Sequence, residues 1–413
     1  MISPRTDTAP VALTSDGGRR LYEQADELRA DGPAVRVRLP EDLLAWSVTR
    51  GDVVKRILTH PDVSKDARRS WPGYRPGAIA WLYPWVDTES MFTADGADHT
   101  RLRKLIGPTL TPRRIEALRP RIEAIVTELL DALEARDTGG TVDLRSAFTH
   151  RLPTRLICDL FGVPVAQRAS VLRVVEAVVA TGVTAEESAR LEGELIGAMR
   201  ELVQAKRREP GDDMTSLLLR AQDGDRLTET ELISTLLLMI GAGSQTTVAL
   251  LGHAVRALLA HPGQLEAVRA DPTRWNDVIE ETLRLHSPVM HLPLRFATRD
   301  IDLGDGVTVP AGDAILVGFG AHGRDPGVHD AADTFDIDRA DKAHLAFGHG
   351  IHFCLGAPLA KLEARIALPA LFDRFPRIGL AGDSDAIAPT PSFISTDFTA
   401  LPVRLRRCEP SAS

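Results

Sequence analysis

Apolar residues recur at every third or fourth position through much of the first two thirds of the chain. Residues 115–133 and 185–206 keep this spacing among arginines and glutamates, which is typical of amphipathic helices that bury one face. Residues 232–252 include no charged side chain, and Thr228 and Glu231 just before them have the spacing of a capping box. Their length would cross a bilayer, but the serine, glutamine and threonines at their centre favour a long helix buried inside a folded protein.

Segments with the pattern of β-strands are short and fewer than the helices. We find no internal repeat, and no change of composition marks a domain boundary. We therefore expect a mainly α fold with small sheets, in a single domain over residues 1–413, with residues 1–17 as a flexible N-terminal segment. The predicted strands are residues 36–39, 45–49, 294–297, 307–310, 314–318 and 401–405.

The composition narrows the class of protein. Hydrophobic residues make up 44% and charged residues 26% of the 413 positions, so the chain can bury a large core. A net charge of −8 and an isoelectric point near 5.9 argue against a nucleic-acid partner, because binding phosphates requires a basic surface.

Three scattered cysteines, Cys158, Cys354 and Cys408, fit a reducing compartment better than a disulfide framework. The N-terminus lacks the apolar run of a secretory signal. These features predict a cytoplasmic protein with no membrane anchor.

One cysteine stands in a glycine-rich bend that leads into an amphipathic helix, within residues 347–365. A thiol ahead of a helix N-terminus is favoured as a thiolate by the helix dipole and by free backbone N–H groups, which suits an anionic metal ligand. Glycines at 348, 350 and 356 remove side chains, so the backbone can approach a flat cofactor closely. Cys354 is therefore a candidate metal ligand.

Two other interpretations of Cys354 exist. Isolated cysteines are often small buried residues in the core, which is how we interpret Cys158 and Cys408. A zinc site with His349 and His352 would lack the four ligands in paired spacing that structural zinc normally has.

The segment around Cys354 resembles the haem-binding loop of cytochrome P450 enzymes almost position for position. The resemblance implies that Cys354 is the axial ligand of a haem iron, with Phe347 and Gly348 beside the haem. An axial thiolate indicates oxygen activation rather than oxygen storage. The likeness runs from about residue 46 to residue 403 and implies the P450 fold, with the haem between the long central helix and the helix after the cysteine. The matching residues are Phe347, Gly348, Gly350, His352, Cys354 and Gly356.

Glu281 and Arg284 lie three positions apart, on one face of a predicted helix. On a surface such a pair would stabilise the fold little. The resemblance implies instead a structural ion pair buried behind the haem, where loss of either partner would leave an unpaired charge. We expect the pair to serve folding and haem incorporation.

His99 and Arg103 lie one helical turn apart, so both can reach the same anionic group. A solvated charged face is the alternative. The resemblance implies that these two residues bind the haem propionates together with Arg295 and His352.

Small residues at the centre of the long uncharged helix would thin it and open a groove. The resemblance places Thr246 there as a catalytic alcohol near bound oxygen. Most P450 enzymes have Asp or Glu before this threonine, and the acid and alcohol relay protons together. This chain has Gln245, whose amide does not titrate near neutral pH, so the usual acidic relay is missing. Ser244, Gln245 and Thr246 could instead bond to neighbouring backbone.

The likeness is closest to actinobacterial P450s that hydroxylate steroids, macrolactones and similar polycyclic natural products. It implies a pocket lined from several segments, mostly by apolar side chains, which suits a bulky hydrophobic substrate. The candidate pocket residues are Trp85, Ile240, Ala242, Gly243, Val289, Met290, Leu292 and Ile394.

The predicted function is a haem b monooxygenase that inserts one oxygen atom from O2 into a C–H bond of such a substrate. Electrons would come indirectly from NAD(P)H, through a separate ferredoxin and ferredoxin reductase, since no flavin or ferredoxin domain follows residue 403. Gln245 leaves two alternatives: a non-catalytic haem binder, or an atypical oxidation such as coupling, epoxidation or a peroxide-driven reaction. The candidate residues for ferredoxin docking are Arg101, Arg103, Lys104, Lys361 and Arg365.

Overall fold

The computed structural model describes residues 9–13, 20–136, 139–177, 179, 181, 184–224 and 226–405. Helices dominate this part of the chain, as the apolar spacing predicts, and the strands are short. The helices α1 to α15 are, in chain order, Leu21–Asp31, Gly51–Thr59, Ala67–Ser70, Gly96–Ile106, Pro112–Glu116, Arg119–Ala135, Arg151–Leu160, Val165–Ala177, Ala185–Arg208, Met214–Asp223, Glu229–Ala260, Pro262–Ala270, Trp275–Leu285, Phe319–Gly323 and Ala357–Arg374. The strands β1 to β11 are Val11–Ala12, Val35–Arg38, Leu44–Val48, Val63–Ser64, Val142–Asp143, His291–Ala297, Ile301–Gly304, Val307–Val309, Ala314–Gly318, Gly379–Leu380 and Pro402–Arg404.

The strands form small sheets. The largest has the order β1-β2-β3-β9-β6-β4, and the others are β10-β11-β5 and β7-β8. In the largest sheet β3 runs parallel to β9, and the ring nitrogen of Trp46 donates to the carboxylate of Asp313 at 2.8 Å. All six predicted strands are observed. β9 has the predicted bounds, and the ends of the other five differ by one to three residues. Four of the five described strands that the pattern misses, β1, β4, β5 and β10, have two residues each, so few residues are available to reveal alternation.

Part of the segment expected to be flexible, residues 1–17, is a strand. Val11 of β1 lies opposite Val37 of β2 in a parallel pair, so backbone pairing holds this stretch against the sheet. Residues 1–8 and 14–17 lie outside the described residues.

The helix predicted over residues 115–133 is two helices, α5 and α6, separated at residues 117–118. Pro120 explains the break, because proline has no N–H to donate to a preceding carbonyl and is tolerated only in the first turn. The new helix therefore begins at Arg119, with the proline inside its first turn.

Helix α11 is the core helix of the fold and packs against α7, α13 and α15. Its first turn has the predicted capping box: the Thr228 hydroxyl accepts from the N–H of Glu231 at 3.1 Å, and the Glu231 carboxylate accepts from the N–H of Thr228 at 2.9 Å. Among the described helices, only α11 is long and apolar enough to cross a membrane, but 72% of its most apolar stretch is buried inside the protein. Such burial is expected of a core helix.

Glu281 and Arg284 on α13 form a fully buried ion pair, with both side chains 0% exposed. Arg284 donates to the two carboxylate oxygens, each at 2.7 Å. Removing one partner of a buried pair typically costs about 3–5 kcal/mol, because the other charge is left unpaired. The remaining N–H groups of Arg284 donate to the carbonyls of Gly323, Ala332 and Thr334, which fixes the chain between α14 and the segment that leads to Cys354.

A side chain at position 323 would collide with this arrangement. A Cβ atom on Gly323 would lie 1.9 Å from the carbonyl oxygen of Arg284, a backbone atom that cannot move without disturbing the ion pair. We expect Gly323→Ala to lower the free energy of unfolding by about 3 kcal/mol. Urea denaturation followed by circular dichroism measures this change.

Gly193→Ala is the matched control, because Gly193 is exposed within α9 and a Cβ there would touch nothing. This variant should gain up to about 1 kcal/mol from the higher helix propensity of alanine. Equal stability of the two variants would contradict the predicted clash.

Candidate active site at the cysteine loop

The cysteine loop is the bend of residues 345–356 that precedes α15. Gly348 and Gly350 have φ angles of 75° and 74°, in the left-handed region that favours glycine. The backbone N–H of Cys354 donates to the carbonyl of Phe347 at 2.9 Å, which closes the loop. The loop thus holds the cysteine directly before the N-terminus of α15.

Cys354 lies on the wall of a cavity, to which its side chain is exposed. Burial by the surrounding protein raises the pKa of its thiol, and the backbone N–H groups of Gly356 and Ala357 and the charge of Arg103 offset this only in part. The helix N-terminus therefore acts in the predicted direction, but burial outweighs it. A metal cation on the sulfur would reverse the balance, because coordination deprotonates a thiol.

The other cysteines are remote from this chemistry. Cys158 is fully buried on α7, and burial raises the pKa of its thiol to about 11. A buried thiol of this kind is unreactive. Cys408 lies outside the described residues.

The cavity has a volume of about 240 Å³ and lies between α11, α15, β6 and the cysteine loop. Its wall is mainly apolar, with Cys354 on one side. Among the apolar lining residues are Ile157, Phe161, Met239, Leu250, Val289 and Leu292.

Half of the candidate pocket residues lie on the wall of this cavity: Ala242, Gly243, Val289 and Leu292. A Cβ atom at Gly243 would lie 2.6 Å from Cδ1 of Ile157. Glycine at this position therefore lets α7 approach α11 closely.

The other four candidate pocket residues lie away from the wall. Ile240 is fully buried in a core cluster with Ile157 and Val175. Met290 packs into another core cluster with Ile394, while its neighbour Val289 lines the cavity. Trp85 packs against the same core cluster. A contiguous run of sequence thus includes side chains that point in opposite directions.

Basic side chains and histidines meet at one edge of the cavity. Arg295 lines it and is only 7% exposed, and its guanidinium makes no hydrogen bond or ion pair within the part of the chain described. Burial lowers the pKa of Arg295 to about 10. The Nε2 atom of His99 is buried and has no hydrogen-bond partner among the same residues. The rings of His99 and His352 are 4.6 Å apart, and Arg103 donates to the carbonyl of Phe353 at 2.7 Å.

The polar residues at the centre of α11 bond largely to their own helix. The Thr246 hydroxyl donates to the carbonyl of Ala242 at 2.8 Å, and the Ser244 hydroxyl donates to the carbonyl of Ile240 at 2.9 Å. Gln245 is buried, and its Nε2 has no hydrogen-bond partner in the described ranges. Thr246 also lines the cavity.

Comparisons with known proteins agree on one family. The family model for cytochrome P450 matches residues 184–383. The 2-hydroxy-5-methyl-1-naphthoate 7-hydroxylase of Streptomyces carzinostaticus is 46% identical over 402 residues, which cover 96% of this chain and 98% of that protein. The chain belongs to the cytochrome P450 family.

Further comparisons extend this result to the fold and the enzyme class. The 6-deoxyerythronolide B hydroxylase of Saccharopolyspora erythraea is 40% identical, over 93% of this P450 and 96% of that protein. The structure of CYP154A1 from Streptomyces coelicolor A3(2) has a TM-score of 0.92 at 45% identity, covering 96% of this P450 and all of that chain. The protein therefore has the P450 fold and is a P450 monooxygenase, which decides against the non-catalytic haem binder.

P450 enzymes use haem iron and O2, and the side chains of this P450 fit a haem. Cys354 offers a sulfur ligand on the cavity wall. The glycines of the loop have no side chain, so a flat cofactor can approach the backbone closely. The guanidinium of Arg295, which has no partner among the described residues, is a donor suited to carboxylates such as the haem propionates. Nε2 of His99 also has no partner there, and it can donate to a propionate when the ring is protonated.

Lys65 is a residue of this region that the sequence does not reveal. Its buried ammonium donates to the carbonyls of Pro293 and Leu294 at 2.7 and 2.9 Å and lies 4.0 Å from the ring centre of Phe92. Burial, and after it the charge of Arg295, lowers the pKa of Lys65 well below its usual value. The side chain ties strand β6 to the segment before α4, and nothing in its local sequence indicates burial.

The sequence does not reveal the role of Asp95 either. An aspartate just before a helix is expected to cap it, but this side chain makes no capping hydrogen bond. Its carboxylate instead accepts from Nε2 of His352 at 3.4 Å, from the Ser64 hydroxyl at 2.6 Å and from the N–H of Lys65 at 2.7 Å. Burial acts to raise the pKa of Asp95, but these hydrogen bonds outweigh it and hold the pKa well below its usual range. Asp95 thus connects the cysteine loop to β4.

Replacing Asp95 should destabilise the protein in a pH-dependent way. Asp95→Ala leaves several donors unpaired and should lower the free energy of unfolding at neutral pH by about 2 kcal/mol. Because the folded pKa is depressed, the stabilisation by Asp95 is fully present above its unfolded pKa of about 4 and is lost as pH falls through the folded pKa. Urea denaturation at several pH values should therefore show the two proteins converging in acid.

Asp98→Ala is the control, since Asp98 forms only exposed ion pairs with Arg69 and Arg101. Its effect should stay below about 1 kcal/mol. A stability difference for Asp95→Ala that widened toward acid pH would rule out the proposed role of the carboxylate.

Proposed function

We propose that this P450 hydroxylates a bulky, hydrophobic natural product by inserting one oxygen atom from O2 into a C–H bond. The main support is the apolar wall that faces the cysteine loop, because such a wall selects substrates by shape and hydrophobic surface. The relatives described above are named for hydroxylation of a naphthoate and of 6-deoxyerythronolide B. The sequence resemblance adds steroids to this substrate class.

In this proposal Cys354 would hold the haem b iron through its sulfur, which accepts hydrogen bonds from the backbone N–H groups of Gly356 and Ala357. Haem bound through a thiolate supplies the activation of oxygen needed to attack an unreactive C–H bond. His99, Arg103, Arg295 and His352 would hold its propionates, and Phe347 and Gly348, which line the cavity, would contribute to binding it.

Residues of α11 would control water and protons in the cavity. The Thr246 hydroxyl donates to the carbonyl of Ala242, so its oxygen can still accept a hydrogen bond from water. The Gln245 amide can order water but does not exchange a proton near neutral pH. The apolar wall would limit the entry of other water, and this would suppress side reactions with water.

Electrons would reach the enzyme from NAD(P)H through a ferredoxin reductase and a ferredoxin, in the cytoplasm. An exposed surface beside Cys354 suits a small acidic ferredoxin. Ile351 and Phe353 are 58% and 46% exposed there. Lys104, Arg113 and Arg114 are exposed nearby, because α4 contacts the cysteine loop and α5 packs against α15. We call these five residues the proximal surface.

Most of the docking residues suggested by the sequence already have partners within the chain. The Lys104 side chain has no partner among the described residues, and Lys104 belongs to the proximal surface. The partnered residues are Arg101 with Glu231, Arg103 with the carbonyl of Phe353, Lys361 with Glu280 and Arg365 with Asn276.

Spectroscopic titration tests the proposed substrate class. Progesterone, 6-deoxyerythronolide B and 2-hydroxy-5-methyl-1-naphthoate are added in turn to the purified ferric protein. At least one should shift the haem Soret band saturably toward the high-spin form, because a ligand that fills the apolar cavity displaces water from the haem. No shift with any of the three would contradict the substrate class. Product analysis with a surrogate ferredoxin and reductase then separates hydroxylation from coupling or epoxidation.

Two cysteine variants control the haem assignment. Cys354→Ser should change the haem spectrum, since it replaces the proposed sulfur ligand. Cys158→Ser should leave the spectrum unchanged, because Cys158 does not line the cavity. Identical spectra for the two variants would overturn the ligand assignment.

Charge reversal on the proximal surface should weaken ferredoxin-dependent turnover. The double variant Lys104→Glu/Arg113→Glu should lower kcat/KM for ferredoxin at least about tenfold at low salt, through slower association. The difference should shrink as ionic strength rises. Stopped-flow reduction by an acidic ferredoxin measures it directly.

Arg208→Glu is the control, because Arg208 is an exposed arginine at the end of α9, outside the proximal surface. It should change the reduction rate little. If Arg208→Glu were as slow as the double variant, nonspecific net charge would explain the effect.

A further inference from the structure

Four polar side chains come together where α1 packs against α14, beside the C-terminal part of α11. Tyr22 belongs to α1, His253 and Arg256 belong to α11, and Arg324 directly follows α14. We call these four residues the arginine cluster. None of them lines the cavity at the cysteine loop, so the cluster is separate from the proposed oxygen chemistry.

Arg256 has few of the partners that a largely buried guanidinium needs. Its side chain is only 25% exposed, it makes no hydrogen bond to any described residue, and its Nε atom is buried without an acceptor. Its ionic contact is with the Asp385 carboxylate, which is 86% exposed and 3.5 Å away. Burial lowers the pKa of Arg256, and the charge of Arg324 acts in the same direction. Such a cation would be stabilised by an anion beside it.

Arg324 brings a second guanidinium to the cluster. Its Cζ atom lies 3.7 Å from the centre of the Tyr22 ring. Its Nε donates to the carbonyl of Leu285 at 2.8 Å, and its Nη2 donates to Nδ1 of His286 at 3.3 Å. Its carboxylate neighbour is Asp333, which is 71% exposed and 3.6 Å away. Within the described residues, the carboxylates that oppose the two guanidiniums thus stand out in solvent.

The Tyr22 hydroxyl is an unused donor in the same place. Its oxygen is buried and has no hydrogen-bond partner in the described part of the chain. Burial raises the pKa of Tyr22, so the hydroxyl keeps its proton at physiological pH. Arg256 is near enough to lower this pKa in part. Tyr22 and Arg256 therefore offer hydrogen bonds to one occupant.

His253 adds an acceptor to these donors. Its Nε2 lies 2.9 Å from the Thr396 hydroxyl, which itself donates to the carbonyl of Ser287 at 2.8 Å. Nε2 must therefore carry the ring hydrogen, which leaves Nδ1 as a bare acceptor, buried and without a partner in the described ranges. Burial, and after it the charge of Arg256, lowers the pKa of His253 to about 3, so the ring stays neutral. His253 precedes Arg256 by three positions, on the same face of α11.

The occupant that fits these groups must accept hydrogen bonds from Arg256 and Tyr22 and donate one to His253. A chloride ion cannot donate, and nitrate has a planar shape but no hydrogen. Water can donate, but it leaves the two positive charges unbalanced. Bicarbonate meets every requirement, because it is planar like a guanidinium, is an anion and has one O–H group.

We propose that the arginine cluster is a binding site for bicarbonate. The anion accepts hydrogen bonds from Arg256 and Tyr22 and donates its O–H to Nδ1 of His253. No covalent bond forms or breaks when it binds. The bound anion joins α1 to α11 and so stabilises the folded protein.

Thermal unfolding of the purified enzyme tests this site without any need for turnover. Sodium bicarbonate, nitrate and chloride are compared at equal ionic strength, up to about 50 mM and at about pH 8. Bicarbonate should raise the melting temperature saturably by at least about 2 °C, because a ligand that binds only the folded state stabilises it. Nitrate and chloride should raise it by less than half as much. Equal shifts with all three salts, or no saturable shift with bicarbonate, would overturn the proposal.

Variants of the cluster show where the anion binds. Tyr22→Phe removes one donor but keeps the ring beside Arg324, and it should weaken bicarbonate binding about tenfold in isothermal titration calorimetry. Arg256→Gln removes a charge and should weaken binding at least as much. Arg208→Gln is the matched control, because it removes an exposed arginine at the end of α9, and it should bind bicarbonate like the wild type.

Two results of the calorimetry would contradict the assignment. Unchanged affinity in both cluster variants would place the anion elsewhere. Nitrate that binds the wild type as tightly as bicarbonate would show that no O–H is donated to His253, and it would overturn the choice of bicarbonate. If Arg256→Gln fails to fold, Tyr22→Phe decides, because it deletes a single hydroxyl.

Discussion

A fully buried guanidinium must find an acceptor for each of its N–H groups, and much of this structure depends on how Arg284 does so. Glu281 satisfies part of the group from one turn away on α13. The remaining donors are satisfied only by backbone carbonyls between α14 and Thr334. That stretch leads to the cysteine loop, so the position of Cys354 is set partly by an ion pair that never touches it.

Two buried cations at the cavity differ in how they are paired. The ammonium of Lys65 donates to the carbonyls of Pro293 and Leu294, although Lys65 lines the cavity. The guanidinium of Arg295 lines the same cavity and makes no hydrogen bond or ion pair to any described residue. A buried cation without a partner destabilises a fold, so Arg295 indicates that this edge of the cavity is built for an anionic ligand.

The sequence predicts those features whose physical cause is local. Helical spacing, the capping box at Thr228, the short strands and the glycines of the cysteine loop all depend on residues within one or two turns of each other. Lys65 and Asp95 escape prediction because their contacts involve segments distant in sequence, as when Lys65 meets Pro293. The sequence also does not show which side chains of a contiguous run face the cavity: Val289 lines it, whereas the adjacent Met290 packs into the core.

The largest sheet has a consequence for how the protein is made. Its strand β3 near the N-terminus pairs with β9, and the Trp46–Asp313 bond across them spans 267 positions of sequence. A ribosome adds about 10 residues per second, so β3 waits on the order of half a minute for its neighbour to be synthesised. During that time β2 and β3 present an open hydrogen-bonding edge, and edges of this kind attract other chains. The nascent P450 therefore depends on early shielding of its first hairpin, by chaperones or by its own helices, before the rest of the sheet can close.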